Sequence, residues 1–126
     1  MCLRLVNFKS LSSSSRIRRS EPGRVRGWVT TAPSLTCDMT ALGTHFFPDA
    51  DPEDVGYKAL AVNLSDLAAA GAVPRAFFLS IGLPRRDDGW LADFSRGLMA
   101  LAHESGCALL GGDTTRTPEI DGRHAP

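Results

Sequence analysis

Residues 58–74, KALAVNLSDLAAAGAVP, constrain the chain most: they form an apolar, helix-patterned run that carries Asn63 and Asp66 among Ala and Leu. A carboxylate in such surroundings needs a partner, and a metal ion is an obvious one. Leu60, Leu64, Leu67 and Gly71 fall at i, i+4, i+7 and i+11, the spacing of one helix face. Upstream, Asp51 is placed to cap the helix and Pro52 suits its first position, with Glu53 and Asp54 opposite the positive end of the dipole. Gly71 and Pro74 supply the stop, so the pattern predicts a helix over 52–70.

The flanking segments read in the same way. Residues 34–38 read as a short strand leading into a turn-rich loop with Gly43, Pro48 and Pro52. AFFLSIGL at 76–83 alternates Phe77, Leu79, Ile81 and Leu83 with Ala76, Phe78, Ser80 and Gly82, a strand apolar on most of both faces. Asp87 or Asp88 caps a second helix with Leu91, Phe94, Leu98 and Leu101 on one stripe and Gly106 at its end. CALL at 107–110 then reads as a short buried strand delivering GGDTT. Strand, helix, strand, helix, strand implies an α+β or α/β layer with helices packed on a sheet.

Asp38 in LTCDM, Asp66 and Asp113 in GGDTT stand at the ends of separate elements and can converge on one site. Clustered carboxylates repel one another unless a cation sits between them, and hard divalent cations take such oxygens. Each aspartate also has a plainer role: Asp38 can cap a turn, Asp66 can be a solvated helix position, and Asp113 can initiate a loop. Arg116, just after GGDTT, can meet a phosphate or simply be solvated. Alone, His45 between Thr44 and Phe46 reads as a packed loop residue.

Taken together, LTCDM, GTHFFPDADP at 43–52, NLSDLAAAGA followed by a proline, and GGDTT roughly forty residues on resemble thiamine-monophosphate kinases over about 36–118. These ATP-dependent enzymes belong to the superfamily that includes aminoimidazole ribonucleotide synthetase. The resemblance implies an α+β fold, the superfamily's N-terminal domain, with a mainly antiparallel sheet and helices on one face. The other face would pair with a second copy in a homodimer, which suits the two-sided apolarity of the 76–83 strand. It implies Mg2+, ATP as co-substrate, and attack by the terminal phosphate oxygen of thiamine monophosphate on the γ-phosphorus, giving thiamine diphosphate and ADP. A phosphate monoester is already largely ionised near neutral pH, so positioning and charge neutralisation should dominate. No Ser-His or Cys-His pair is evident, and no catalytic residue is assigned.

By the same resemblance, Thr36, Cys37 and Asp38 take the metal-binding position at the end of the first strand. Asp66 matches the aspartate that bridges metal ions, Gly112 and Asp113 match the nucleotide and metal contact, and His45 matches the residue that meets thiamine monophosphate. Members usually carry Ser or Thr where Cys37 stands, and there a backbone carbonyl can serve. They also carry a Gly-Asp-Asp segment upstream and Gly where Thr117 stands, whereas no Gly-Asp-Asp string precedes Asp38 here. Because members are longer and have a second domain, the resemblance is to a truncated member, from which little kinase turnover is expected. A non-catalytic dimerisation fragment and a sister ATP-dependent synthetase are the alternatives, and the NLSDLAAAGA and THFFPDADP strings count against the sister enzyme.

At 126 residues the chain can bury one core. Residues 1–27 hold seven of its fourteen Arg and Lys against the single acid Glu21, so that stretch is +6 and the remainder −6. The expected division is a disordered, basic Ser/Arg-rich head at 1–32, a domain that binds ATP and Mg2+ at 33–118, and a polar tail at 119–126. The head has no aromatic platform or recognised module beside it, and no nucleic-acid partner is expected. Cys2, Cys37 and Cys107 are odd in number and lack metal-ligand spacing, which fits a reducing, cytoplasmic setting. No apolar run approaches the eighteen or so residues of a membrane span.

Overall fold

A computed structural model of the chain describes residues 2–6 and 34–118. The elements are β1 (Cys2–Val6), β2 (Leu35–Met39), α1 (Pro52–Ala69), β3 (Ala76–Leu83), α2 (Asp88–Ser105) and β4 (Ala108–Arg116). They form one sheet of order β2-β1-β3-β4. β1 runs antiparallel to both β2 and β3, whereas β3 and β4 are parallel because α2 carries the chain back between them. The α+β class therefore stands, but the sheet is mixed: the expected antiparallel pairing holds around β1 and not along the ladder that carries Asp113.

β1 corrects the expected division of the chain, since Cys2–Val6 lies within the stretch read as a disordered head and pairs with two strands. The rest of that head and the tail at 119–126 lie outside the described residues. β4 is a second correction. It runs through GGDTT to Arg116 instead of ending at Leu110. Phe77 pairs with Leu109 and Phe78 with Gly111, so Leu110 is an extra residue where the register shifts. Gly111 there has φ 150°, and a Cβ on Gly112 would stand 1.8 Å from the Leu79 carbonyl oxygen. The two glycines are what this ladder requires.

Both helices end where their sequence signals fall. Asp51 Oδ1 accepts from Glu53 N to open α1, and Asp87 Oδ1 accepts from Trp90 N to open α2. At the far end of α1, Gly71 is left-handed and Ala72 N donates back to Leu67 O at 2.8 Å. Gly106 and Cys107 close α2 in the same way, with Cys107 N donating to Ala102 O at 2.9 Å.

The core lies between the helix pair and one sheet face. Phe77 and Ile81 of β3 are buried against Val55, Ala59 and Leu60 of α1 and Phe94, Leu98 and Leu101 of α2. The helices cross with backbones in near contact, since a Cβ on Gly56 would lie 2.0 Å from Phe94 O and one on Gly97 would lie 1.9 Å from Glu53 O. Arg96 spans that crossing, donating to Glu53 of α1 at 2.8 Å and to Asp93 at 2.6 Å. On the opposite sheet face, Leu35, Met39 and Phe78 are 67%, 55% and 38% exposed.

Candidate functional site

The seam between β2 and α1 brings the first site residues together. Thr36 Oγ1 donates to Asp66 Oδ2 at 2.9 Å. One helical turn earlier, the fully buried Asn63 accepts from Asp38 N at 3.1 Å through Oδ1, while its Nδ2 donates to Ala59 O at 3.1 Å. Asn63 thus satisfies both halves of its amide and fastens β2 to α1, as burial demands of a polar side chain. Asp66 is exposed, as its plainer reading as a solvated helix position has it, because Leu67 takes the core-facing position and its neighbour is turned about 100° away. Thr36, and not the core, receives its carboxylate. The Asp38 side chain is also exposed and accepts from Met39 N at 2.7 Å.

Asp113 is elsewhere. It pairs with Ser80 on β4, with β1 and β3 standing between its strand and β2. The registers put Thr36 and Asp38 in line with Phe77 and Leu79 on the helix-packed face, while Asp113 lines up with Ser80 and Phe78 on the outward one. Its Oδ2 accepts from Thr115 Oγ1 at 2.8 Å. Among the described residues no three His, Cys, Asp or Glu side chains lie close enough to hold a metal ion. The expected convergence of Asp38, Asp66 and Asp113 is therefore not formed within this chain. Cys37 is exposed and alternates onto the outward face, opposite to its neighbours Thr36 and Asp38. Gly112 has a structural role, since the close approach to Leu79 excludes any side chain there.

His45 sits in the loop before α1. Its Nδ1 accepts from Ala41 N at 3.0 Å, and its carbonyl accepts from Lys58 Nζ at 2.6 Å. Gly43, at φ 78°, makes the tight turn and donates to Phe46 O at 2.8 Å. This loop and α1 line an open pocket of about 350 Å³ bordered by His45, Phe46, Phe47, Asp54 and Lys58. Sequence reasoning missed Lys58, although a lone ammonium in an apolar helix run was the available signal. Leu42, to which no function is attached, is exposed in the same loop. No helix among the described residues is long and apolar enough to cross a membrane.

Residues 28–124 match the family described as AIR synthase related protein, N-terminal domain. The chain belongs to this family. It is similar to the thiamine-monophosphate kinase of Salmonella typhimurium, 52% identical over 85 residues, and to that of Escherichia coli K12, 51% identical over 85 residues. These stretches are 68% of this chain and 26% of each relative, so the chain spans about a quarter of the length of the curated relatives it matches. Among solved structures it resembles thiamine-monophosphate kinase from Stenotrophomonas maltophilia K279a, with TM-score 0.59 and 49% identity over 60% of this chain and 24% of that one. It also resembles AaThiL complexed with AMPPCP and TMP, with TM-score 0.58 and 32% identity over 60% of this chain and 25% of that one.

Proposed function

We propose that the chain serves ATP-dependent phosphorylation of thiamine monophosphate to thiamine diphosphate, as the metal- and phosphate-holding part of a cytoplasmic, homodimeric kinase. The observation that carries this reading is the extent of the family match: residues 28–124 include Thr36, Cys37, Asp38, His45, Asp66, Gly112 and Asp113. The similarity to thiamine-monophosphate kinases, about half identical over 85 residues, supports the choice of substrate.

The donor chemistry at the β2–α1 seam suits Mg2+. Thr36, Asp38 and Asp66 offer hard oxygens, and one or two protein carboxylates are the usual share for this ion, with water and phosphate oxygens completing its shell. Bound there, Mg2+ would neutralise charge on the transferring phosphoryl group. The Thr36 hydroxyl fixes the orientation of Asp66, and Asn63 holds β2 at the level of Asp38. Asp113 lies on the outward face with β1 and β3 between its strand and β2, so it stands apart from that pair. With its Nδ1 accepting from Ala41, the His45 ring carries its proton on Nε2, a donor for a substrate in the adjoining pocket. These residues position and neutralise; none is required as a nucleophile.

The outward sheet face supports the dimer, since Leu35, Met39 and Phe78 are exposed apolar residues on it that a second copy would cover. Calorimetric titration with a non-hydrolysable ATP analogue tests the site. Binding should require Mg2+ and weaken in Asp66→Asn; equal affinity in EDTA, or no effect of the substitution, would overturn the assignment.

A further inference from the structure

We propose that the cleft at the C-terminal ends of β3 and β4 binds the phosphate group of a small phosphorylated molecule through Arg85, Arg86 and Arg116. The cleft has a volume of about 600 Å³, and its walls also include Asp88, Thr114 and Thr115. Residues 28–126 carry only seven Arg and Lys against thirteen Asp and Glu, yet three of those cations gather here from segments 30 residues apart. One carboxylate, Asp88, stands among them and is already bound by Arg86. A locally positive cleft on an otherwise acidic domain is a feature that attracts and concentrates anions.

The hydrogen bonding shows which donors are committed. Arg86 donates through Nε to Asp88 at 2.6 Å, and Arg116 donates through Nε to Pro84 O at 3.3 Å. Among the described residues the Nη atoms of both have no protein acceptor, and Arg85 makes no hydrogen bond or ion pair. Two guanidinium groups are thus held at one edge with their outer N–H groups unclaimed, an arrangement suited to paired donation to phosphate oxygens. The position suits a ligand as well: β3 and β4 are parallel, both end at the cleft, and α2 begins beside it, so the open ends of the strands and the first turn of the helix face the same space.

This site needs neither metal nor Asp66, so it stands apart from the kinase reading. Inorganic pyrophosphate, titrated in EDTA, tests it by calorimetry. Binding at ~1 mM or tighter is expected, with Arg85→Gln and Arg116→Gln each weakening it about tenfold. Arg75→Gln, an exposed cation outside the cleft, and Asp66→Asn should leave it unchanged. Arg85→Lys should retain an intermediate affinity, because it keeps the charge and loses the fork. Melting curves check that each variant is folded, and Arg85→Gln removes no hydrogen bond or ion pair among the described residues, so it carries the test should Arg116→Gln unfold. No binding in EDTA would overturn the proposal, as would loss in Arg75→Gln equal to that in Arg85→Gln or undiminished affinity in the Arg85→Gln/Arg116→Gln double variant.

Discussion

Gly97→Ala should destabilise the fold even though alanine is the better helix former. A Cβ at position 97 would stand 1.9 Å from Glu53 O, whereas ordinary contact begins at 3.4 Å, so α1 and α2 must part by roughly 1.5 Å. The obstacle is backbone, which cannot swing aside as a side chain does. Moving the helices apart thins the packing of Phe94 and Leu98 against Val55 and Ala59, and gaps of this size forfeit much of the dispersion attraction. Overpacking of this kind costs about 3 kcal/mol at its upper end, and the helix propensity of alanine returns about 1, leaving a net loss of about 2 kcal/mol. For a domain of this size that is a fall of about 8 °C in Tm. Gly89 lies in the same helix, and a Cβ there would approach nothing nearer than Asp87 Oδ1 at 3.6 Å, so Gly89→Ala should be neutral or slightly stabilising. Gly56→Ala opens the same crossing from the other side, and the Gly56→Ala/Gly97→Ala pair should lose less than the sum of the two, because one separation relieves both clashes. Differential scanning calorimetry reads the parent and all four variants. A Gly97→Ala chain melting at or above the parent temperature would refute the close crossing.

Asn63→Ala should lose about 2 kcal/mol, measured by urea unfolding, because two hydrogen bonds vanish and the Asp38 N–H loses its acceptor. Burial pushes the Cys107 thiol above its ordinary value, so the folded state keeps a proton that the unfolded chain releases near pH 8.5; stability should be full below that pH and fall as pH rises through the folded value. Melting curves of Cys107→Ala, flat over that window, would check this, and a parent chain that gains stability with alkalinity would contradict it. Phe78→Asp places a charge on the outward sheet face and should dissociate dimers in sedimentation velocity, whereas a parent chain monomeric at high concentration would remove the basis for that interface.

The two helices and β3 are legible in the sequence because their signals are local: caps at Asp51 and Asp87, stops at Gly71 and Gly106, and apolar periodicity between them. β1 is not, because five residues beside a Ser- and Arg-rich run show no strand until β2 and β3 lie on either side of them. The end of β4 is obscured for a related reason. Gly111 and Gly112 interrupt a strand in sequence terms but fit this one through a register shift and a close carbonyl. For the candidate site, residue types alone single out Asp38, Asp66 and Asp113 as aspartates able to converge, and Thr36 enters only through the resemblance; which of them share a seam depends on strand order and on which face of β4 Asp113 occupies. Periodicity carries neither. The helix crossing is hidden as well, since a glycine inside a helix reads as a weakness until a second backbone is seen against it.

The place of β1 in the sheet has a practical consequence. β2 carries Thr36 and Asp38 and, among the described residues, pairs with no strand but β1, while Asn63 and Asp66 of α1 hold it from the helix side. Trimming the chain by half a dozen residues at its start would strip the ladder from β2 and bare an edge of β3 at the same time. Two open edges on one small domain invite pairing between molecules. An affinity tag placed directly before Cys2 would crowd the same strand, whereas the loop before α1 lies at a distance from it in the chain. Failure of such a shortened protein to bind ligand would therefore report on the sheet before it reported on the chemistry.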